Sequence, residues 1–195
     1  MRRLLGMLVA ASAATTLFAL PVRAADPSKM IETVTAEIIE IAKTRTGADR
    51  QAAMRQVVQD NFDAPYMGRA ALGAHWNQAS EQQRARFIAA VETSEARAYS
   101  ERLGKITGCS MIIGKVISRP NSVWIVDSRL KQSSGQPIRI EWEVHDSGQG
   151  LRIADVKVEG VSMSMTMRSD FNSYIQSNSG DVEPLVEALE ARAAR

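Results

Sequence analysis

The sequence predicts an α+β fold in a single domain, with helices grouped on one side of a twisted four-stranded antiparallel sheet. Three observations predict it. Apolar residues recur at helical spacing from Pro27 to Gly104. The period then switches to alternation as far as Glu159, and the connections are short enough to make successive strands antiparallel. At Ser162 the helical spacing returns. Helices and strands segregated in this way belong to α+β architectures rather than to alternating βαβ ones.

The first helix runs from Pro27 to about Thr44, with Met30, Ile31, Val34, Ile38 and Ile41 on one face, and Gly47-Ala48-Asp49 punctuates it. A second, Arg50 to Asn61, presents Met54, Val57 and Val58. Asp63 is an N-cap, with Pro65 in the first turn where its missing N–H costs nothing, and that helix ends near Gly73. Ser80 and Gln83 have capping-box spacing and open the longest helix, whose face is Phe87, Ile88, Val91, Ala98 and Leu103 and which Gly104 stops. Four strands follow, at about Ile106–Ser118, Ser122–Lys131, Ile138–His145 and Leu151–Glu159. In the third, Ile138, Ile140, Trp142 and Val144 face one way, while Arg139, Glu141, Glu143 and His145 face the other, as in a half-buried strand. Asp181 to about Arg192 closes the chain as a helix with Leu185, Val186 and Leu189 inward.

Residues 1–24 read as an export signal. Met1-Arg2-Arg3 is a basic start, and Leu4–Leu20 is apolar but too short and wrongly flanked for a membrane span. Val22-Arg23-Ala24 fits the small-x-small rule, which places cleavage after Ala24 and the domain at residues 25–195. The mature chain then has 21 basic and 22 acidic residues, a formal −1, so the basic precursor pI misleads. No Lys/Arg run exists of the kind that nucleic acid or an anionic membrane surface needs. Cys109 stands alone, which excludes an internal disulfide and reads as a small buried hydrophobe. A mature chain of 171 residues buries roughly 70% of its unfolded surface and needs no staples.

The most telling stretch is Gly150 to Phe171. A strand runs to Gly160, which can take the positive φ of a sharp exit, and Ser162 caps the helix that follows. Met163, Met167, Phe171 and Ile175 fall at i, i+4, i+8 and i+12, and with Met165 they make a soft, adaptable surface suited to a variable greasy ligand. The Asp155–Ser162 core, D-V-x-V-E-G-V-S, followed by Arg168-Ser169-x-Phe171, resembles the MlaC family, the toluene-tolerance or phospholipid-carrier proteins of the Gram-negative periplasm. It is most similar to the branch associated with hopanoid biosynthesis. Phe62-Asp63 with Arg69-x-x-Leu72-Gly73-x-x-Trp76, the aromatics Phe87 and Tyr99, and Leu185-Val186-x-x-Leu189 match the family pattern as well. Leu151 stands where the family carries Trp, and Ser179-Gly180 replaces Gly-Gly.

The resemblance implies a lipid carrier without catalytic residues or cofactor, with a deep apolar cavity between helices and sheet. The implied ligand is a phospholipid. The implied partners are an inner-membrane ABC transporter complex with a tethered lipid-binding subunit and an outer-membrane lipoprotein complex. Two acyl chains hold about 30 methylenes, worth about 0.8 kcal/mol each on burial, so moving them through water unaided costs on the order of 20 kcal/mol. The candidate cavity lining is Phe87, Val91, Trp124, Val126, Ile138, Ile140, Trp142, Met163, Met167 and Phe171. Periodicity alone reads these residues equally well as plain core.

Other chemistries have weaker support. His75 and His145 lie 70 residues apart, and neither has a ligand at metal-binding spacing, so no metal site is expected. Glu141 and Glu143 share a strand face and could serve as acid and base in a lipid-modifying hydrolase, but alternating charge with Arg139 on an exposed face is the simpler account. Asp155 sits in an apolar strand, where it needs an Arg partner or caps the Gly160 turn. Phosphate loops and nucleophile elbows are absent from the sequence. A carrier of a hopanoid or similar polycyclic lipid satisfies the same cavity physics.

Overall fold

A computed structural model describes residues 26–103 and 108–194; side chains are described from 26 to 101 and from 108 to 194. The export signal, the side chain of Leu103, the stop at Gly104 and the strand start at Ile106 lie outside what is described.

Four helices come first: α1 (Pro27–Thr44), α2 (Gly47–Asn61), α3 (Ala64–Leu72) and, after a 3-10 helix at Gly73–Asn77, α4 (Glu81–Leu103). The break between the first two falls at Arg45-Thr46, so Gly47-Ala48-Asp49 opens α2 rather than separating it from α1. Strands β1 (Ser110–Arg119), β2 (Val123–Lys131), β3 (Ile138–Asp146) and β4 (Leu151–Val158) form an antiparallel meander in chain order. A two-residue strand, β5 (Val161–Ser162), adds a fifth member to the four expected, because the Glu159-Gly160 turn folds Val161 back opposite Val158. Helices α5 (Met163–Ser177) and α6 (Glu183–Ala193) follow.

The local signals act as their chemistry requires. The Ser80 N–H donates to Gln83 Oε1, and the Gln83 N–H donates to Ser80 Oγ, a reciprocal capping box. Asp63 accepts from the Tyr66 N–H and Ser162 from the Met165 N–H. Gly160 has φ +82°. Asp155 takes neither of its expected partners. Its carboxylate accepts the Ser164 N–H in the first turn of α5, so it adds a second acceptor to the start of that helix. Asp63 also ties α3 to the sheet. Its second oxygen pairs with His145 Nε2 at 2.8 Å, and its N–H donates to Ile153 O.

The interior divides into two clusters. One lies between the sheet and α1, α2 and α4, around Ile31, Val34, Val57, Val126, Val144 and Ile153. The other joins α3, α4, α5 and α6 around Leu72, Trp76, Phe87, Ile175 and Val186. Of the family motifs, Leu72, Trp76, Phe87, Phe171, Leu185, Val186 and Leu189 meet at the second, while Phe62 and Tyr99 pack against the first. Gly73 has φ +56°, and a Cβ there would lie 2.8 Å from Arg168 Nε, so the glycine admits both the turn and the arginine. Leu151 packs against the first cluster.

Two predictions follow from these joints. Arg86 of α4 makes a bidentate pair with Glu190 (2.7 and 2.8 Å) and an ion pair with Glu183, which also accepts from Gln83. Bonds from Gln83 and then Arg86 hold the Glu183 carboxyl below its ordinary value of 4.5. Arg86 does the same to Glu190. Lowered carboxyls stabilise above the unfolded value and lose that contribution as pH falls through the folded one. Stability to urea therefore drops as the pH falls below the ordinary carboxyl value of 4.5, and more shallowly in Arg86→Gln. At Ser179 the chain takes φ +60°, a left-handed position that suits glycine better than serine. Ser179→Gly raises the urea midpoint, by about 1 kcal/mol of stability.

Candidate functional site

A cavity of about 340 Å³ occupies the gap between the two clusters. Its floor is the inner face of the sheet: Met111, Leu130, Ile138, Ile140, Trp142, Val156 and Val158. Its walls are α1 (Thr35, Ile38, Ile39), α2 (Met54, Val57, Val58), α3 (Met67, Ala71), α4 (Phe87, Ile88, Val91, Tyr99) and the start of α5 (Met163, Met167). Leu130, Ile138 and Val158 lie at one end of the sheet, and the hollow sits over that end.

The strand register explains its extent. Cross-strand neighbours share a face, so the inner face consists of rows. The rows Leu130–Ile138, Ser128–Ile140–Val158 and Val126–Trp142–Val156 contribute to the floor. The next row, Trp124–Val144–Ile153, is outside it; Val144 and Ile153 are fully buried in the first cluster.

Seven of the ten residues expected to line a cavity do so: Phe87, Val91, Ile138, Ile140, Trp142, Met163 and Met167. Three do not. Trp124 lies in the row beyond the floor, at the filled end of the sheet. Val126 shares a row with Trp142 but is fully buried in the first cluster. Phe171, two turns along α5 from Met163, stacks edge-on against Phe87 (5.5 Å between centroids) and packs with the second cluster. Sequence reasoning missed the contribution of α1, α2 and α3, because their inward residues carry the same apolar spacing as core.

The wall is dry by construction. Thr35 Oγ1 donates to Ile31 O at 2.7 Å, and Trp142 Nε1 donates to Ser128 Oγ at 2.9 Å, which in turn donates to Ile140 O. Tyr99 donates to Met163 Sδ at 2.7 Å, linking α4 to α5. Polar groups satisfied within the protein leave an apolar surface toward the hollow. Among the described residues the ionisable side chains of the wall are Glu92, Glu95, Tyr99 and Cys109, and no Lys, Arg or His contributes. Such a volume lies within the range of small-molecule sites, and apolar cavities of lesser size stay empty of water.

The residues considered for catalysis are elsewhere. Arg139 pairs with Glu141 (3.0 Å) and Asp127 (2.9 Å) on the outer face. Among the described residues no three His, Cys, Asp or Glu side chains are grouped to hold a metal. His75 is buried, and its ring nitrogens meet Gln78 and Asn172; His145 meets Asp63 and the edge of Tyr66.

The family model of the MlaC protein matches residues 29–191, which take in every wall of the cavity. The chain belongs to the MlaC family. Among solved structures, this MlaC chain is similar to a phospholipid-binding protein from Ralstonia solanacearum, solved in complex with a phospholipid. The TM-score is 0.74 at 20% identity, covering 87% of this chain and 98% of that one, so the two share a fold. No curated protein matches the sequence.

Cys109 tests the hollow in this MlaC chain, since its buried thiol lines the cavity. A charged thiol reagent should label it at least tenfold more slowly than an apolar one of equal intrinsic reactivity, a difference lost in denaturant. Thiol titration in native and unfolded protein measures both rates.

Proposed function

We propose that the protein is a periplasmic phospholipid carrier, which takes the acyl tails of one lipid into the hollow and leaves the head group in water. The observation that carries this reading is the dry wall: Thr35, Tyr99 and Trp142 face a cavity of about 340 Å³ yet direct their polar atoms back into the protein. Folding alone would fill such a space. Membership of the MlaC family and the likeness to a phospholipid-binding protein support the same ligand class. A charged head group is expensive to bury without partners, and among the described residues the wall offers no cation to a phosphate. Tails inside and head group outside is the arrangement this predicts.

In this reading residues 1–24 direct export and are removed after Ala24, leaving residues 25–195 as the carrier domain. The protein shuttles lipid between an outer-membrane lipoprotein complex and an inner-membrane ABC transporter with a tethered lipid-binding subunit. It acts by binding rather than by catalysis. Glu141 is engaged by Arg139, Asp155 caps α5, and neither these two nor Glu143 lines the cavity.

Solvent extraction of the protein purified from a Gram-negative periplasm, followed by mass spectrometry, tests the proposal. About one diacyl phospholipid per chain is the expected result. A polycyclic lipid in its place would reassign the ligand. A lipid-free protein that also fails to take up labelled phospholipid would end the carrier reading.

A further inference from the structure

We propose that lipid tails enter and leave the cavity over the β4–β5 corner, across Val158 and Val161. The inference rests on the carrier reading and names the route that such a carrier uses.

Val158 is the most exposed residue of the cavity wall, at 38%, where every other lining residue is buried or half-buried. The wall reaches the surface there. The strand register extends the floor beyond this point. Ser128 pairs with Ile140, Ile140 with Val158, and Val158 with Val161. Residues directly opposite on antiparallel strands share a face, with Cβ atoms about 5 Å apart. Val161 thus lies on the cavity side of the sheet, next to Val158. Along this row the side chains pass from fully buried (Ser128) to half-buried (Ile140), then to 38% and 61% exposed (Val158 and Val161). From Ile140 outward it is a continuous apolar track over the sheet edge.

Packing does not account for the last residue of that track. Val161 is the most exposed large hydrophobic side chain among the described residues. It stands on a strand of two residues, where a polar β-branched residue would serve the backbone equally well. Edge strands are ordinarily blunted with charge or proline instead.

The corner is also held in place. Its turn uses two positive-φ residues, Glu159 (+50°) and Gly160 (+82°), and only the second is a glycine. The Glu159 N–H donates to Arg139 O at 3.0 Å, and its carboxylate accepts the Arg139 N–H. Both bonds fasten the lip to β3 between Ile138 and Ile140, the floor residues just inside it. Beyond Ser162 the chain continues directly into Met163, a wall residue bonded to Tyr99. A tail crossing at this corner stays on apolar surface for most of its path, so fewer methylenes face water at any moment of the transfer.

The test is a rate measured beside an equilibrium. Donor vesicles of phosphatidylcholine carry a fluorescent phosphatidylethanolamine, and the purified protein moves it to unlabelled acceptor vesicles. Val161→Asp should slow transfer about tenfold, and Val161→Thr by a smaller factor. Ile112→Asp is the control, since Ile112 is comparably exposed (54%) but points to the outer face of β1. It should leave the rate unchanged, and all three variants should bind the wild-type amount of lipid at saturation. Wild-type transfer by Val161→Asp would overturn the portal, as would a rate loss matched by an equal loss of lipid bound. A wild-type protein that takes up no lipid would overturn the carrier reading and the portal with it.

Discussion

A gap between two separately packed cores is the constraint on which the rest of the structure depends. Relative to a filled interior, an apolar hollow of about 340 Å³ costs at most about 8 kcal/mol, at about 24 cal/mol per Å³ of enclosed cavity. That is comparable to the whole stability of an ordinary domain. About ten buried methylenes would offset it. The fold therefore needs each cluster to hold together by itself, and it gains in stability when something apolar fills the space between them.

The joints around the gap answer this need. The sheet cluster is tied to α3 through Asp63, which caps that helix, pairs with His145 and donates its N–H to Ile153. The helical cluster is fastened at its outer side, where Arg86 bridges α4 to Glu183 and Glu190 of α6. Helix α5 joins the two, and its start is fixed twice, by Asp155 from the sheet and by Ser162 from the chain itself. Across the wall Tyr99 bonds to Met163, a soft partner that can yield. Rigid rims around an adaptable interior suit a ligand whose tails vary in length.

Polar chemistry in the floor serves dryness rather than reaction. Ser128, Trp142 and the Ile140 carbonyl satisfy one another within the sheet, so a floor that includes an indole N–H still presents only carbon to the hollow. The outward face of the same strands carries Arg139, Glu141 and Asp127 as solvated pairs. Alternation along each strand thus separates a greasy interior from an ordinary surface one residue apart.

Much of this was legible in the sequence. The capping box at Ser80 and Gln83, the caps at Asp63 and Ser162, the turn at Gly160 and the inward set Ile138, Ile140, Trp142 and Val144 each depend on neighbours a few residues away. Local chemistry determines such features, and the amino-acid order states it directly. The sequence could not separate Met163 and Met167, at the hollow, from Phe171 on the same helical stripe, or Ile140 from Trp124 on the same face of the sheet. It gave no sign that Met54, Val57 and Met67 line the hollow with them. Those distinctions turn on where one packed cluster stops and the next begins, among elements far apart in the chain. Emptiness is a distance between assembled surfaces, and no residue carries it alone, so only the tertiary structure decided where the protein is hollow.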